Sequence, residues 1–473
     1  MSVCLPLDID RSASAALSEQ IRSRIIQLIR DGMLQPDTRL PSSRRLALDL
    51  TVSRSVVVEA YQQLTAEGWL VSRDRSGTRV SEAVEQESLS TAKRTSAERP
   101  AQNHWNLVPG SADVRSFPRG EWTTCLTTVL RHISDVDLDY PPLSGVLSVR
   151  QTLAGYLGRV RSVRATAQQV MVTTGFAQGL NVVCRMLQRR GVHGLALEDP
   201  GHPGMRQFLD NVDMCTVAIP VDDQGISVEA LERSGVRAVL VTPAHQFPTG
   251  VVLSPGRRQA LVEWARRVDG LIVEDDYDGE FWYDEAARPL SLQHLAPDHV
   301  VYGGTASKTL APGLRLGWLV APEGVVSDLQ QARELFDLGS GTVEQLAYAE
   351  FIETGRCDKH LRRVRETYRR RFGMVRDYLV ENGDPELELT GAAAGLHAHL
   401  GFPPNLDEAE FVHRARLNRI ELRGASHFRL DRDDAAPGIV VGYAMQSDAW
   451  LAEALQVLRE LAVKLARSPV PQL

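Results

Sequence analysis

One lysine of this 473-residue chain lies in a setting that suggests chemistry. Lys308 occurs in the segment GTASKTLAPGLRLGW, among small and apolar residues, preceded by Thr305 and Ser307 and followed by Arg315. Desolvation lowers the pKa of such an amine, and small neighbours leave space for an aldehyde, so Lys308 is a candidate Schiff-base nucleophile. The two hydroxyls and the arginine could then bind a phosphate group.

A second feature that could bind phosphate lies upstream, where the apolar run MVTT is followed by Gly175, Phe176 and Ala177. The residues after this turn predict a helix, and the N–H groups and dipole of a helix start favour an anion. Since every junction between a strand and a helix offers something similar, this turn indicates little by itself.

An acidic strand end completes the pattern. Asp275 and Asp276 end the run LIVEDD and precede Tyr277, and the sequence leaves open which of the two faces inward. A carboxylate there could pair with the ring nitrogen of a pyridine cofactor. The phosphate turn, the acid and the lysine, in this chain order, predict pyridoxal 5'-phosphate (PLP). The alternative for Lys308 alone is an ordinary surface lysine in a loop.

Composition and length define the class of protein. Hydrophobic residues make up 43% and charged residues 24% of the chain, which is typical of soluble proteins, and the length predicts two or three domains. No run approaches 18 apolar residues and the start lacks a signal-peptide pattern, so we expect a cytoplasmic protein. No metal site is expected, because no metal-binding spacing connects the cysteines, which are Cys4, Cys125, Cys184, Cys215 and Cys357.

Charge confines any nucleic-acid binding to the N-terminus. Residues 1–80 contain 11 Arg, no Lys and 9 acidic residues, a net charge of +2, whereas the rest of the chain carries -9. A DNA-binding role therefore has to reside in the first 80 residues.

Three helices are predicted in this N-terminal region. Apolar spacing predicts a helix over residues 17–29, a second through RRLALDL capped by Ser42 or Ser43, and a third that starts at Ser53 and stops at Gly68. Two short helices joined by a tight turn are typical of a helix-turn-helix. The Ser-Arg-Ser start of the third helix would then contact bases and phosphates in the major groove.

Two short strands are predicted next, in WLVSRDRSGTRV, around a Ser-Gly turn. They would form a wing on which Arg73, Arg75 and Arg79 could contact phosphate or the minor groove. The following residues, 82–103, are polar with almost no large apolar side chain and predict a flexible linker. A three-helix protein-interaction module with a basic face is the alternative to DNA binding.

The remainder, 104–473, alternates short apolar runs with helical periodicity. The runs MVTTG, GLALEDP, CTVAIP, AVLVTPA, GLIVEDDYD, VVYGG and RLGWLVAP predict strands, and segments such as RRQALVEWARRV predict helices. Buried strands alternating with helices favour a doubly wound α/β sheet, whose ligands bind at the carboxyl ends of the strands. The predicted domains are thus 1–81 and 104–473, joined by the linker.

Both predicted domains resemble known families. LPSSRRLALDLTVSRSVVVEAYQQLTAEGWL, followed by SGTRV, resembles the winged helix-turn-helix of GntR-type bacterial regulators. The segments DYPPLSG, VTTGFAQGL, LEDPGHPG, TPAHQFPTG, VEDDYDGEF and GTASKTLAPGLRLGW resemble fold-type-I aminotransferases, in the same order. Together they resemble the MocR/GabR-type transcriptional regulators. The first resemblance implies the following DNA-contacting residues: Arg44, Ser53, Arg54, Ser55 and Gly77.

The second resemblance implies a role for each candidate residue of the larger domain. Lys308 would hold PLP as the internal aldimine, Asp275 would pair with the pyridine nitrogen, and Tyr277 would bond the O3' oxygen. Tyr140 would reach the phosphate of the neighbouring subunit, which implies a homodimer, and His202 would stack on the ring. The phosphate would be bound by the turn at 175–177 together with Thr305, Ser307 and Arg315.

The chain also departs from the aminotransferase pattern. Gln246 and Phe247 stand before PTG, where aminotransferases usually carry an asparagine that bonds O3', and this change weakens the case for efficient turnover. Both effector arginines of the GABA-responsive regulator are replaced, which argues against GABA. The candidates to take their place are Arg206, Arg423 and Arg429. We therefore predict a regulator that senses a small amine, an amino acid or PLP itself. The alternatives are an active aminotransferase with a DNA-binding appendage and a scaffold without PLP.

Overall fold

The computed structural model describes residues 7, 9–11, 13, 15–73, 77–81, 105–284, 288–381, 387–430 and 436–467. The chain divides into two compact units, Met1–Gln102 and Asn103–Leu473. The predicted linker, 82–103, lies outside the described residues, and so does Arg75 of the predicted wing.

Three helices and a two-stranded sheet make up the smaller unit. The helices are α1 Leu17–Arg30, α2 Ser43–Asp49 and α3 Arg54–Ala66, and the antiparallel strands are β1 Leu70–Arg73 and β2 Gly77–Val80. All five elements occur where the sequence predicts them.

The core of this unit consists of the apolar faces expected from helical spacing. Of the two candidate caps of α2, Ser42 is the one that acts, because its hydroxyl accepts a hydrogen bond from the backbone N–H of Arg45 at 3.3 Å. Helices this short are marginal alone, so their stability depends on the shared core, where each large aliphatic side chain contributes about 1.5–3 kcal/mol. The inward residues are buried: Ile21, Ile25, Leu28, Val57, Ala60, Tyr61 and Leu64.

An eight-stranded sheet forms the centre of the larger unit. After a short strand, β3 Trp105–Asn106, its strands are β4 Val170–Thr173, β5 Gly194–Asp199, β6 Cys215–Asp222, β7 Gly225–Ile226, β8 Ala238–Val241, β9 Leu271–Asp276, β10 Val300–Thr305 and β11 Gly317–Val320. The order across the sheet is β4-β11-β10-β9-β8-β5-β6-β7. Strands β10, β9, β8, β5 and β6 pair in parallel.

The sheet is mixed rather than parallel throughout. Strand β11 runs antiparallel to both of its neighbours, and β7 returns antiparallel to β6. The seven predicted strands are all present, but the periodicity of RLGWLVAP does not reveal its direction. Every residue of β4, β8, β10 and β11 is buried, because helices cover both faces, and this explains their continuous apolar sequence.

Helices surround the sheet and carry the chain to a second, smaller sheet. That sheet contains β12 Glu388–Thr390, β13 His397–Gly401, β15 Arg423–Gly424 and β16 Gly438–Gly442 in the antiparallel order β12-β13-β16-β15, and β14 Ile420–Glu421 pairs with β3. The helices are α4 Arg119–His132, α5 Leu147–Arg161, α6 Phe176–Arg189, α7 Pro203–Asn211, α8 Val228–Ser234, α9 Pro255–Val268, α10 Leu292–Leu295, α11 Val326–Glu334, α12 Thr342–Glu353, α13 Arg356–Arg376, α14 Glu408–Leu417 and α15 Asp448–Ala466.

Candidate functional site

A cavity of about 760 Å³ opens at the carboxyl ends of β5, β8, β9 and β10. This is the edge where ligands of parallel sheets bind, because each strand there passes into a loop that can present side chains. The cavity brings together most of the residues that the sequence singles out: Phe176, Ala177, His202, Asp275, Tyr277, Thr305, Ser307, Lys308 and Arg315.

Lys308 follows β10 in a short turn and is partly buried. Its ammonium group donates a hydrogen bond to the carbonyl of Gly110, which also lines the cavity. Burial lowers the pKa of Lys308, and the negative charges of Asp275 and Asp278 partly oppose this effect. A lowered pKa increases the fraction of neutral amine, which is the nucleophilic form.

Asp275 and Asp276 end β9 but have different surroundings. Asp275 lines the cavity, and its buried Oδ1 has no hydrogen-bond partner among the described residues. Burial, reinforced by Asp276, raises the pKa of Asp275 to about 8, although Lys308 acts in the opposite direction. An orphaned buried carboxylate oxygen requires an explanation, and a missing ligand with a proton to donate is one.

Asp276 points away into the protein interior. Arg161 donates two hydrogen bonds to its carboxylate, at 2.5 and 3.1 Å, and the hydroxyl of Tyr302 donates a third at 2.6 Å. The side chains of Arg161 and Asp276 are 0% and 1% exposed. Asp276 is therefore committed to a structural ion pair, so the choice that the sequence left open falls on Asp275 as the acid that faces the cavity.

The groups predicted to bind phosphate meet at the start of α6. Gly175 precedes this helix with φ +108°, a conformation that favours glycine, and a Cβ built on it would lie 2.9 Å from Nη2 of Arg315. The Oγ atoms of Thr305 and Ser307 are 2.8 Å apart, and the N–H of Ser307 donates to Thr305 Oγ1 at 3.1 Å. A guanidinium, two hydroxyls and the N–H groups of a helix start are chemically suited to a phosphate.

Tyr277 lies on the cavity wall close to the loop that follows β8. Its hydroxyl donates to the carbonyl of His245 at 3.0 Å and lies 3.2 Å from His245 Nδ1. Phe247 also lines the cavity, but the carboxamide of Gln246 does not, because it bonds Pro200, Thr249 and the Phe247 carbonyl. Gln246 therefore does not replace the missing asparagine.

The positions of two residues assigned from the resemblance, His202 and Tyr140, support their predicted roles less directly. His202 caps α7 by accepting a hydrogen bond from the N–H of Gly204 at 3.2 Å, and its ring centroid lies 5.8 Å from that of Phe247. Tyr140 is 79% exposed and is not among the residues that line the cavity. Val136 and Leu138 beside it are exposed as well.

Of the three arginines considered for an effector, two lie on the cavity wall. Arg206 and Arg429 line it, and neither guanidinium group forms a hydrogen bond or ion pair with the part of the chain that the structure describes. Arg423 instead donates to Glu421 at 2.6 Å and does not line the cavity.

Sequence reasoning missed two acids of the cavity, Asp210 of α7 and Glu198 of β5. Glu198, near the end of β5, accepts hydrogen bonds from the hydroxyl and N–H of Thr242 at 2.6 and 3.1 Å. Burial raises the pKa of Glu198 to about 7. Its position in LEDP, directly after an apolar strand, is the signal that could have found it.

A second missed group lies behind Tyr277. His245, Asp278 and His397 are buried, with potential ligand atoms within 4.8 Å of one another. Their atoms are engaged in hydrogen bonds, since His245 Nδ1 lies 2.8 Å from Asp278 Oδ2 and His397 Nε2 lies 3.1 Å from the carbonyl of Pro248. The sequence predicts no metal site, and we assign no metal to this group.

The smaller unit presents most of its predicted DNA-contacting residues on its surface. Arg44, Ser53, Arg54 and Ser55 are exposed, and Gly77 starts β2 with φ +86°. The hydroxyl of Ser53 lies 2.8 Å from that of Ser55, so Ser53 precedes α3 without capping its backbone.

One of the wing arginines that could contact phosphate or the minor groove, Arg79, already has a partner within the smaller unit. Arg79 donates to the carbonyl of Asp37 at 2.7 Å and to its carboxylate at 3.1 Å. This ion pair ties the wing to the loop before α2. Arg39, which precedes that helix, is exposed instead, and a Cβ built on Gly77 would lie 3.2 Å from its Nε.

Comparisons with known proteins agree with these two units. Residues 17–80 match the bacterial regulatory proteins of the gntR family, and residues 125–430 match aminotransferase class I and II. Among solved structures, the α-aminoadipate aminotransferase LysN of Thermus thermophilus, complexed with N-(5'-phosphopyridoxyl)-L-leucine, is 25% identical, with TM-score 0.66, over 76% of this chain and 92% of that one. The larger unit is thus an aminotransferase-like domain of fold type I.

Relatives with both units define the protein more closely. The pyridoxine biosynthesis regulator PdxR of Corynebacterium glutamicum is 32% identical over 84% of this chain and 85% of its own length. The probable rhizopine catabolism regulator MocR of Rhizobium meliloti is 29% identical over 98% and 97%. The chain belongs to the MocR-type family of helix-turn-helix transcriptional regulators, in which a GntR-type DNA-binding domain is fused to an aminotransferase-like domain. Among the described residues, no helix is long and apolar enough to cross a membrane.

Proposed function

We propose that this transcriptional regulator holds PLP on Lys308 and uses it to sense a small amine or amino acid, or senses PLP itself. The unpartnered Oδ1 of Asp275, in the same cavity as the Lys308 amine, is the observation that carries the proposal. A protonated pyridine nitrogen would supply the missing donor. It would also stabilise the ionised form of a carboxyl group whose pKa burial raises to about 8.

The residues present fit the other parts of the cofactor. Thr305, Ser307, Arg315 and the start of α6 would hold the phosphate, His202 would lie against the ring, and Tyr277 would bond the ring oxygen. When bound, PLP supplies an aldehyde that reacts reversibly with primary amines, and a visible absorbance that reports the reaction. The protein contributes orientation and exclusion of water.

We further propose that the regulator is a homodimer in which Tyr140 reaches the phosphate of the neighbouring subunit. Its 79% exposure in one chain and the exposed Val136 and Leu138 beside it support this arrangement. Apolar side chains in one exposed stretch are favourable when a second subunit covers them.

The unpaired guanidinium groups of Arg206 and Arg429 favour an effector with an anionic group as well as an amine. Arginine binds carboxylates in a fork geometry, and both groups lie on the wall of the cavity that contains Lys308. Asp210 also lines this cavity, so a second ammonium group on the effector would have a partner too.

Binding of the effector would alter operator affinity if it favoured one conformation of the dimer. A coupling free energy of about 1–3 kcal/mol changes DNA affinity roughly 5- to 150-fold. In this proposal the DNA-binding domain spans 1–81, with Arg44, Ser53, Arg54, Ser55 and Gly77 against the DNA. The linker spans 82–103, the sensing domain spans 104–473, and the regulator acts in the cytoplasm, where its operator lies.

The test begins with the lysine. Borohydride reduction of the purified, PLP-loaded chain should attach a pyridoxyl group to the peptide that contains Lys308, as mass spectrometry would show. Lys308→Ala should lose both the adduct and the visible absorbance. Lys359→Ala, which changes an exposed lysine of α13, should retain both. A chain that stays colourless and unmodified with added PLP would contradict the proposal.

An active aminotransferase is the second candidate, because the same cavity residues suit transamination. The apolar Phe247 at the position before PTG speaks against it. Titration with amines and amino acids, followed by visible absorbance and by operator mobility shift, separates the two functions. Spectral change with altered DNA binding and no keto-acid product supports sensing, whereas repeated turnover at enzyme-like rates would favour the enzyme.

A further inference from the structure

Two buried polar side chains that do not line the cavity are connected to Tyr277. Oδ2 of Asp278 lies 2.8 Å from Nδ1 of His245, and the Tyr277 hydroxyl lies 3.2 Å from the same nitrogen. The side chains of His245 and Asp278 are 1% and 2% exposed. The three residues thus form one hydrogen-bonded group that reaches the cavity only through the phenol.

The chemistry of the groups assigns the protons. An ionised Asp278 can only accept, so His245 carries its proton on Nδ1 and donates it. The phenol oxygen of Tyr277 is close enough to accept from the same N–H. In the structure the phenol donates its own proton to the His245 carbonyl at 3.0 Å. Rotation about the C–O bond would direct that proton into the cavity while the oxygen stays against the imidazole.

The imidazole of His245 is closely surrounded by backbone and by a second ring. A Cβ on Gly395, which has φ +76°, would lie 2.4 Å from both Cε1 of His245 and Oδ2 of Asp278. A Cβ on Gly250, which has φ +72°, would lie 3.2 Å from Nε2. The ring of His397 covers another side, with centroids 4.9 Å apart. Only glycine fits at the first position, so the local sequence provides the space that the histidine occupies.

The departure from the aminotransferase pattern indicates a function for the hydrogen-bonded group of Tyr277, His245 and Asp278. The position before PTG, where aminotransferases usually carry an asparagine that bonds O3', is Phe247. The neighbouring carboxamide, Gln246, is engaged in the turn itself. Tyr277 is therefore the residue left to meet the cofactor's ring oxygen, and its proton position matters more than in an enzyme with two donors.

We propose that His245 and Asp278 are positioning residues that hold the phenol oxygen of Tyr277 and direct its proton to the ring oxygen of bound PLP. This inference rests on the proposed PLP site at Lys308. A hydrogen bond donated to the ring oxygen makes that oxygen less basic, so the pair behind the phenol influences the acidity of the cofactor without touching it.

Other titratable groups also face this set and have to be considered in any pH measurement. Lys308, Asp275 and Glu198 lie on the cavity side, and His397, Tyr283 and Tyr443 lie near the buried side. Burial lowers the pKa of His397 well below its ordinary value of 6.5, so His397 stays neutral through the neutral range. Differences between variants, measured in the same background, cancel the contributions of the unchanged groups.

The experiment is a pH titration of the visible band of the PLP-loaded chain. Tyr277→Phe should raise the pH midpoint of the band most, because it removes the donor to the ring oxygen. Asp278→Asn and His245→Asn should each raise it by about half a unit or more, roughly a threefold change in proton affinity. In the Tyr277→Phe background neither should add a further shift, since both act through the phenol.

The controls separate positioning from folding and from cofactor binding. His399→Asn changes a histidine of β13 that bonds Thr390 at 2.9 Å and should leave the midpoint unchanged. The inference would be overturned if Asp278→Asn and His245→Asn left the pH midpoint unchanged. It would also be overturned if they shifted the midpoint equally in the native and Tyr277→Phe backgrounds. A native chain with no visible band would instead refute the PLP site.

A measurement on the native chain covers the case in which these buried variants do not fold. The Nδ1–H of a histidine bonded to a carboxylate gives a proton resonance far downfield. We expect this resonance in the apo chain and a clear change in its position on addition of PLP. A resonance that does not respond, in a chain that has bound PLP, would mean that the pair is not connected to the cofactor and would overturn the inference.

Discussion

The smaller unit and the cavity of the larger unit differ in how their proposed functional residues relate to the core. In the first, Arg44, Arg54 and Ser55 are exposed and lie next to a core to which they contribute nothing. In the second, Asp275 and Lys308 are desolvated groups inside the fold. The contrast indicates that substitutions at exposed positions should separate function from stability in the smaller unit. In the larger unit, the burial that adapts a group to its function also affects stability, so the effect of a substitution depends on the partners of the residue and on pH.

The largest effect, on the unfolding free energy, is expected at Asp276, a residue of the larger unit whose role is structural. Asp276→Asn would leave the buried Arg161 guanidinium without its ion-pair partner, and breaking such a pair costs about 3–5 kcal/mol of unfolding free energy. Chemical denaturation of the apo chain should show this loss. The double variant Asp276→Leu with Arg161→Met should recover much of the lost unfolding free energy, because the uncompensated charge is then absent. If the double variant recovered none of it, the ion pair would not be the source of the stability that Asp276 provides.

The same substitution one residue earlier, at Asp275, should affect PLP binding and not the stability of the fold. Asp275→Asn should weaken PLP binding by about 1.5–3 kcal/mol, the usual worth of a charge-assisted hydrogen bond, or roughly 10- to 150-fold. Yet it should not destabilise the apo chain at pH 8. Equilibrium titration of the apo chain with PLP and thermal unfolding measure the two quantities, and equal destabilisation by both Asn variants would remove the distinction between the two carboxylates.

The pH dependence of the apo chain sharpens this expectation. Because the folded pKa of Asp275 is raised to about 8 from 3.8, the folded chain retains a proton that the unfolded chain releases. The stability from this group is fully present below 3.8 and is lost as the pH rises towards 8. Asp275→Asn should flatten the decline over this interval. Glu198, Glu274 and Glu280, whose pKa values burial raises to about 7, contribute a slope of the same sign.

The features that the sequence predicts are those that depend on residues close together along the chain. The elements of the smaller unit, seven strands of the larger sheet, and the candidates Lys308 and the Asp275–Asp276 pair follow from spacing over a few residues. The direction of β11 and the proximity of His245 to Asp278, 33 positions apart, depend on contacts between distant segments. The choice between Asp275 and Asp276 required Arg161, which α5 brings from 115 positions away.

The smaller unit also contains an exception to local prediction. The sequence predicts that Arg79 could contact phosphate or the minor groove, and the fold pairs it with Asp37, 42 positions earlier. The residues assigned from the start of α3 did not depend on such a contact, because the inward face of the helix alone determines which side chains point outward.

A smaller effect, confined to function, is expected in the DNA-binding unit. Arg54→Ala should weaken operator binding by about 1–3 kcal/mol if Arg54 contacts a base, or should lower the salt slope by about one if it contacts phosphate. Its unfolding free energy should stay within about 0.5 kcal/mol of the native value, since the side chain is exposed and its nearest polar contact is Ser43 Oγ at 3.4 Å. Fluorescence anisotropy over a series of salt concentrations measures the operator affinity and its salt slope, and chemical denaturation measures the unfolding free energy. Unchanged affinity and salt slope would show that α3 is not the recognition helix.

The smallest effect should come from a residue that serves only the fold of that unit. Ser42→Ala removes the oxygen that accepts from the N–H of Arg45 at the start of α2, and loss of such a cap typically costs about 1 kcal/mol. Ser53→Ala is the matched control, because Ser53 precedes α3 without a capping bond and should cost less stability but more DNA affinity. If the two variants lost stability and operator affinity in the same proportion, folding and recognition would be coupled in the smaller unit as well, and the contrast with the cavity would not hold.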